Sequence, residues 1–310
     1  MSLLSKIPRE QKVWLKAQLV EARRRFVQTF LSFDAQQLLA CLRSLGVRPG
    51  DSVMLHSAFG AQFGFRGSVE ELTNVFLDAV GPEGNLLMVS LPYRSSSFDY
   101  LSSGRQFDVR KTPSMMGLVS EFFRRRPGVL RSLHPTHPIL AYGPKAEWFV
   151  AEHPNSPFPC GPGTPFDRLV GVDGKALFYN VPFATFTFFH YLEHLVSPDL
   201  PFPLYLEKPA EVQVIDAAGA PRTVRTFVFA PEVIPRRRFP VLEEEMEKRH
   251  FIHSARVGAS RILAVKVRDA IDCVSDMRRH GRFFYDMSDL RQVAPASGRP
   301  GSRGVKGAQT

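Results

Sequence analysis

The segment His190-Tyr-Leu-Glu193-His194 places two imidazoles and a carboxylate within five residues. It matches the H-x-x-E-H signature of inverted zinc peptidases. On a helix, His190 and His194 are one turn apart, so both rings can reach one metal ion with Glu193 nearby. A further carboxylate is needed, and Asp269 or Asp272 is a candidate. A zinc-dependent hydrolase is therefore one hypothesis.

Histidines also fall where predicted strands meet loops. His56 ends an apolar strand, and His134-Pro-Thr-His137-Pro holds two imidazoles in a loop that its prolines restrict. Side chains at the strand ends of an α/β sheet face the ligand crevice. Because an imidazole titrates near ~6.5, these positions suit proton transfer close to neutral pH. We predict a site lined by His56, His134, His137 and His190.

A glycine-rich segment, Gly161-Pro-Gly163-Thr-Pro-Phe166, is a candidate nucleotide loop. It lacks the third glycine of a dinucleotide fingerprint and the lysine of a phosphate loop. Its prolines also remove backbone donors that would hold a phosphate. We interpret it as a rigid structural loop.

Strands and helices alternate along most of the chain. Predicted strands cover residues 52–56, 85–90, 138–142, 175–180 and 261–265, with a hairpin over 211–216 and 223–230. Predicted helices cover residues 8–31, 34–45, 68–80, 115–126, 185–195, 242–249 and 267–279, with Ser114 as the cap of the fourth. This alternation predicts an α/β fold with helices on the faces of the sheet, and the hairpin indicates a mixed sheet.

The chain of 310 residues carries 40 Lys and Arg against 30 Asp and Glu, a net charge of +10. Part of this charge lies in a predicted basic amphipathic helix within residues 1–33 and part in a tail over 291–310, which we expect to be disordered. The intervening residues 34–290 form the predicted catalytic domain. A nucleic-acid-binding protein is a second alternative, which the dispersed charges disfavour.

The remaining composition is that of a soluble protein, with 44% hydrophobic residues. The three cysteines, Cys41, Cys160 and Cys273, are far apart and unpaired in spacing, which favours a reducing compartment. No apolar run reaches the ~18–20 residues of a membrane span, and no secretory signal is evident. We expect a cytoplasmic protein without a membrane partner, and we allow for a homodimer.

Taken in order, several short segments resemble the aminoglycoside 3-N-acetyltransferase family over roughly residues 35–290. They are His56-Ser57, Asp78-Ala-Val-Gly-Pro-Glu-Gly84, Thr112-Pro-Ser114-Met115-Met116-Gly117, Pro127-Gly-Val-Leu-Arg-Ser132, His134-Pro-Thr-His137, Gly143-Pro-Lys-Ala146, Gly161-Pro-Gly163-Thr-Pro165 and His190-x-x-Glu193. Each is weak alone, whereas eight in register are specific.

The resemblance implies an α/β sandwich unlike the common acetyltransferase fold, and direct acyl transfer from acyl-CoA, such as acetyl-CoA, to an amine without a metal. It implies His190 as the general base with Glu193 in support. The resemblance and the histidine pattern together give three sets of site residues. The catalytic set is His190, Glu193, His56 and His137; the coenzyme A set is His56, Ser57, Ser90, Leu91, Pro92, Ser114, Met115, Met116 and Gly117; the acceptor set is His134, Phe183 and Phe186.

Two features of the sequence bear on the acceptor. Aromatic and apolar residues flank the predicted base in the segments 181–189 and 197–203, where a polycationic aminoglycoside would call for carboxylates. The excess positive charge is better suited to an anionic acceptor, such as a nucleotide-linked amino sugar. The acceptor predicted here is therefore an amino sugar of either kind.

Overall fold

A mixed sheet of seven strands lies at the centre of the protein, in a computed structural model that describes residues 8–288. The strands are β1 (Ser52–Ser57), β2 (Asn85–Val89), β3 (Phe107–Asp108), β4 (Leu130–Arg131), β5 (Ile139–Tyr142), β6 (Lys175–Tyr179), β7 (Ala210–Ile215), β8 (Pro221–Thr226), β9 (His253–Val257) and β10 (Ser260–Lys266). The α-helices are α1 (Arg9–Phe30), α2 (Ala35–Ser44), α3 (Val69–Val80), α4 (Ser97–Ser102), α5 (Leu118–Arg124), α6 (Ala146–Val150), α7 (Pro165–Gly171), α8 (Phe189–Val196), α9 (Phe239–Lys248) and α10 (Val267–Arg279).

The strand order of the main sheet is β4-β5-β2-β1-β6-β10-β9. β1 is parallel to both neighbours, β2 and β6, whereas β5 and β10 run antiparallel to the strands beside them. The predicted mixed α/β sheet is confirmed. The hairpin is not its cause, however, because β7 and β8 pair with β3 in a separate sheet of three strands.

Alternation along the strands gives the sheet two buried faces. In β1, Met54 packs on one face, and Val53 and Leu55 pack on the other. Helices α2, α3 and α5 cover the face of Val53 and Leu55, and α6 to α10 cover the face of Met54. Both faces are apolar because helices cover both, so the protein is a three-layer α/β/α sandwich.

Capping side chains explain where two helices begin. The Ser68 hydroxyl accepts a hydrogen bond from the Glu71 amide, and the Glu71 carboxylate accepts one from the Ser68 amide. Asp34 and Gln37 form the same capping box ahead of α2. The predicted cap at Ser114 is wrong: α5 begins only at Leu118, and its N-cap position holds no capping side chain.

Helix α1 exposes most of its apolar residues. The predicted stripe includes Leu19, Phe26 and Phe30, which are 63%, 54% and 69% exposed, whereas Val27 is buried. The predicted segment boundaries at residues 33 and 290 remain predictions, and the expected disordered tail over residues 291–310 lies outside the described residues. Between residues 8 and 288, no helix is both long and apolar enough to span a membrane.

Candidate active site

Four of the predicted site segments meet at one edge of the sheet. Because β1 and β2 are parallel, His56 and Ser90 lie at the same edge. β5 is antiparallel to β2, and Val89 pairs with Ile139, so the loop that carries His137 enters at this edge as well. The chain leaves β6 there and continues through a 3-10 turn into α8, which carries His190 in its first turn.

The centre of the site is a hydrogen bond from Nδ1 of His190 to Oε2 of Glu193, 2.7 Å long. The two residues are three apart on α8, which places them on one face of the helix. Glu193 is fully buried, whereas the His190 side chain keeps 16% of its surface exposed. Because an ionised carboxylate can only accept a hydrogen bond, Nδ1 of His190 must be the donor. In neutral His190 the proton is therefore on Nδ1, and Nε2 has a free lone pair.

Two residues that the sequence did not single out hold the other side of Glu193. Arg237 donates from Nε to Oε1 at 2.7 Å and from Nη2 to Oε2 at 2.9 Å. Tyr285 donates its hydroxyl to Oε1 at 2.7 Å. In the sequence Arg237 is the middle of three consecutive arginines, so nothing marks it as the buried one.

Opposing charges set the protonation of this group. Burial raises the pKa of Glu193, but the charges and hydrogen bonds of Arg237 and His190 outweigh it and lower the pKa below its ordinary value. Burial lowers the pKa of His190; the Glu193 hydrogen bond opposes this shift and the charge of Arg237 adds to it. Near neutral pH the site therefore holds a carboxylate beside a neutral imidazole.

His137 contacts His190 directly, with the rings edge to face and their centroids 5.5 Å apart. His134 is fully buried behind it and stacks on His153 at 4.4 Å. Nδ1 of His134 accepts hydrogen bonds from the amides of Thr136 and His137. His134 thus shapes the loop that presents His137 and does not line the surface of the site. His153, nineteen residues after His134, was not predicted.

His56 borders a small cavity of about 110 Å³ at the ends of β1 and β2. The cavity is lined by Leu55, His56, Ser57, Val89, Met116, Ser120, Val181, Thr185 and Thr187. His56 stacks on Phe178, and burial lowers its pKa to about 4. Its Nε2 is buried without a hydrogen-bond partner among the described residues. Three residues of the predicted coenzyme A set, His56, Ser57 and Met116, therefore share one cavity.

The other residues of the predicted coenzyme A set lie in two adjoining segments of the same polypeptide, one after β2 and one before α5. The Met115 amide donates to the Leu91 carbonyl at 2.8 Å, which joins the segment after β2 to the segment before α5. The Ser114 hydroxyl bonds to that of Ser120, and the Ser114 amide donates to Glu121, so both groups are occupied. Ser90 and Pro92 are buried, and Gly117 has open space around its α-carbon and a φ of +111°.

Phe183 and Phe186, predicted to contact the acceptor, are each 1% exposed. Their rings pack on Phe178, with centroids 5.6 and 5.5 Å away. They belong to the core beneath the site, so the structure gives them no surface to present to an acceptor.

The imidazole of His194 has its partners outside the His190–Glu193 pair. Its Nδ1 bonds to the Tyr205 hydroxyl at 3.2 Å, and its ring packs on Phe158. Glu193 is engaged by Arg237 and Tyr285, as described above. Within residues 8–288 no three His, Cys, Asp or Glu side chains converge as metal ligands would. The geometry gives no support to the zinc hypothesis.

Residues 54–278 match the sequence model of the family described as aminoglycoside 3-N-acetyltransferase. The match covers most of the chain, which therefore belongs to the aminoglycoside 3-N-acetyltransferase family. The resemblance identified from the eight short segments is confirmed. Neither alternative, a zinc hydrolase or a nucleic-acid-binding protein, is supported.

Aminoglycoside N(3)-acetyltransferase IX of Micromonospora chalcea is 30% identical over 169 residues, which are 50% of this chain and 60% of that relative. Among solved structures, aminoglycoside acetyltransferase AAC(3)-Xa matches with a TM-score of 0.70 and 25% identity, over 86% of this chain and 99% of that one. AAC-IIIb in a binary complex with CoASH matches with a TM-score of 0.67 and 26% identity, over 80% and 97%. These structures confirm the predicted fold class.

Proposed function

We propose that this protein is an acyl-CoA-dependent N-acyltransferase that transfers an acetyl or other acyl group to an amine of an amino sugar. The supporting observation is the hydrogen bond between His190 and Glu193, which leaves Nε2 of His190 as a base inside the segment that matches the family. Burial lowers the pKa of this imidazole, so it is neutral and able to accept a proton at neutral pH.

The transfer is direct. As the amine nitrogen attacks the thioester carbonyl, its proton moves to Nε2 of His190 and the carbon–nitrogen bond forms. The carbon–sulfur bond then breaks, and the imidazolium of His190 gives this proton to the leaving thiolate, which returns His190 to its neutral form. Proton transfer of this kind contributes about 10²–10⁴ in rate. Cys160 is not a suitable nucleophile, because it is fully buried and burial raises the pKa of its thiol.

The acyl donor is assigned to the ends of β1 and β2. His56, Ser57 and Met116 line one cavity there. The two segments beside this cavity are joined by a backbone hydrogen bond and hold the rest of the set: Ser90, Leu91, Pro92, Ser114, Met115 and Gly117. Neutral His56 offers a ring nitrogen that has no partner within residues 8–288. The CoASH complex of the similar AAC-IIIb supports a coenzyme A site in this fold.

The acceptor is proposed as an amino sugar, either aminoglycoside-like or nucleotide-linked. The carboxylate closest to His190 is that of Glu193, and Arg237 already neutralises it. A polycationic acceptor requires unpaired carboxylates around it. The net charge does not decide between the two kinds of acceptor, because most of the excess of +10 lies in residues 1–33 and 289–310 and the residues between them are close to charge balance.

A thiol-release assay with several acyl-CoA donors tests this function. The purified protein of 310 residues is given each donor with a panel of aminoglycosides and nucleotide-linked amino sugars, and the acylated product is identified by mass spectrometry. We expect release that depends on the amine and is lost in His190→Gln. The proposal fails if no amine in the panel releases thiol above the rate of donor hydrolysis.

A further inference from the structure

Arg237 and His190 both bind the carboxylate of Glu193. The guanidinium contacts both oxygens of Glu193, and His190 shares Oε2 with it. The Arg237 side chain is only 12% exposed, and its guanidinium lies over the ring of Phe229 with its central carbon 5.1 Å from the centroid. Phe229 also contacts His190, with ring centroids 5.0 Å apart. Arg237 thus packs on the same aromatic ring as the proposed base, His190.

We propose that Arg237 is a positioning residue that sets both the orientation and the proton affinity of the His190–Glu193 pair. Tyr285 assists it as the third donor to the carboxylate. The inference rests on the proposed function for its kinetic consequence, but its effect on His190 can be measured without any substrate.

The orientation follows from geometry. A bidentate arginine fixes a carboxylate in plane, because its two donors are parallel and rigidly spaced. Glu193 has no exposed surface, so its rotamer is determined by these partners. With the carboxylate fixed, Oε2 can accept from His190 Nδ1 in only one ring orientation, which directs Nε2 outward.

The proton affinity follows from the sum of the charges. With Arg237 present, the group of neutral His190, anionic Glu193 and cationic Arg237 has no net charge, and one added proton makes it +1. Without the guanidinium the group starts at −1, and the same proton makes it neutral. Removing a buried cation therefore raises the affinity of the pair for its first proton, whichever residue holds it.

Other titratable groups face the His190–Glu193 pair, and removal of Arg237 does not change their charge. His137 contacts the His190 ring, and the buried Cys160 thiol and the hydroxyls of Tyr205 and Tyr285 lie within electrostatic range of Glu193. Burial raises the pKa of Cys160, Tyr205 and Tyr285 and lowers that of His137. All four are therefore uncharged near neutral pH, so Arg237 is the cation that balances Glu193.

The test is a histidine titration by NMR on the full chain, labelled with ¹³C at the imidazole Cε1. The nine histidines are resolved by comparing spectra, and His190 is assigned from the signal that disappears in His190→Gln. In Arg237→Met we expect the first protonation of the pair to move up by about one pH unit or more. Arg237→Lys keeps the charge and loses the planar fork, so its titration should stay near that of the wild type.

Arg238→Met is the matched control. Arg238 is the next residue, pairs with Asp286 and contacts neither member of the pair, so its removal should leave the titration of His190 unchanged. Tyr285→Phe keeps every charge and removes one donor to Glu193, and a smaller shift in the same direction is expected. It serves as the second variant if Arg237→Met does not fold.

The kinetic readout separates the two effects. If the proposed acyl transfer holds, the acidic limb of kcat/KM moves up with the titration in Arg237→Met. In Arg237→Lys the limb stays in place and kcat falls about tenfold. An unshifted His190 titration in folded Arg237→Met, or in Tyr285→Phe if the former is unfolded, overturns the positioning role. A shifted titration in a protein that releases no thiol upholds the role and rejects the acyltransferase function.

Discussion

The rings of His137 and His190 meet edge to face at an angle of 83°. The contact joins a loop that precedes β5 to the first turn of α8, across the edge of the sheet where β1 and β2 end. Burial lowers the pKa of His137 well below its ordinary value, and proximity to His190 adds to the effect. His137 is therefore uncharged near neutral pH where its ring contacts the proposed base. The imidazolium that forms on His190 then has no second imidazolium charge at His137 beside it.

Replacement of His190 by glutamine removes the proposed proton acceptor while preserving volume and polarity. We expect kcat to fall about a hundredfold or more, because general-base catalysis contributes on that scale. Coenzyme A affinity, measured by calorimetry, should change little, since Nε2 acts on the amine. Turnover within threefold of the wild type would remove His190 from its role.

A larger residue at Gly117 should weaken coenzyme A binding. Gly117 has a φ of +111°, which a β-branched residue adopts only at a cost of about 1–3 kcal/mol, so Gly117→Val would distort the turn before α5. Gly50→Val is the matched control, because Gly50 has a φ of +89°, open surroundings and a position before β1, away from the site. We expect a loss of coenzyme A affinity of at least fivefold in the first variant only, and equal affinities would contradict the assignment.

The protein should lose stability steeply on acidification. Burial lowers the pKa of His56 to about 4 and that of His153 to about 3, and those of His134 and His137 lie well below the ordinary value. The unfolded chain takes up these protons near ~6.5 while the folded protein excludes them, so stability is full above that pH and falls as the pH drops toward 4. Each of the four contributes about 1.4 kcal/mol per pH unit.

Urea unfolding at pH 7, 6 and 5 measures this slope. The expected free energy of unfolding at pH 5 is lower than at pH 7 by several kcal/mol, and His153→Gln should reduce the slope by about a quarter. Stability that does not change between pH 7 and pH 5 would show that the four rings are protonated in the folded protein.

Activity should not depend on zinc. His194 is engaged with Tyr205 and Phe158, so His194→Gln should keep acyl transfer near the wild-type rate, and treatment with a chelator should leave it unchanged. Elemental analysis accompanies the assay. Stoichiometric zinc together with chelator-sensitive activity would restore the hydrolase hypothesis built on His190, Glu193 and His194.

Local patterns in the sequence predict much of the architecture. Apolar runs such as residues 85–89 predict buried strands, and the capping box at Ser68 predicts the start of α3, because both depend on neighbours in sequence. The sequence did not predict which strand the hairpin of β7 and β8 pairs with. Its pairing with β3 joins residues more than a hundred positions apart, and no local pattern encodes that contact.

The sequence by itself determined the family and the central pair, since the spacing of His190 and Glu193 on a helix brings the imidazole to the carboxylate. Only the tertiary structure decided which of three consecutive arginines is buried on that carboxylate and that Tyr285 joins it. It also decided that Phe183 and Phe186 face the core and that His153 supports the loop of His137. Burial and charge pairing between distant segments depend on how the elements pack, and a linear pattern does not specify them.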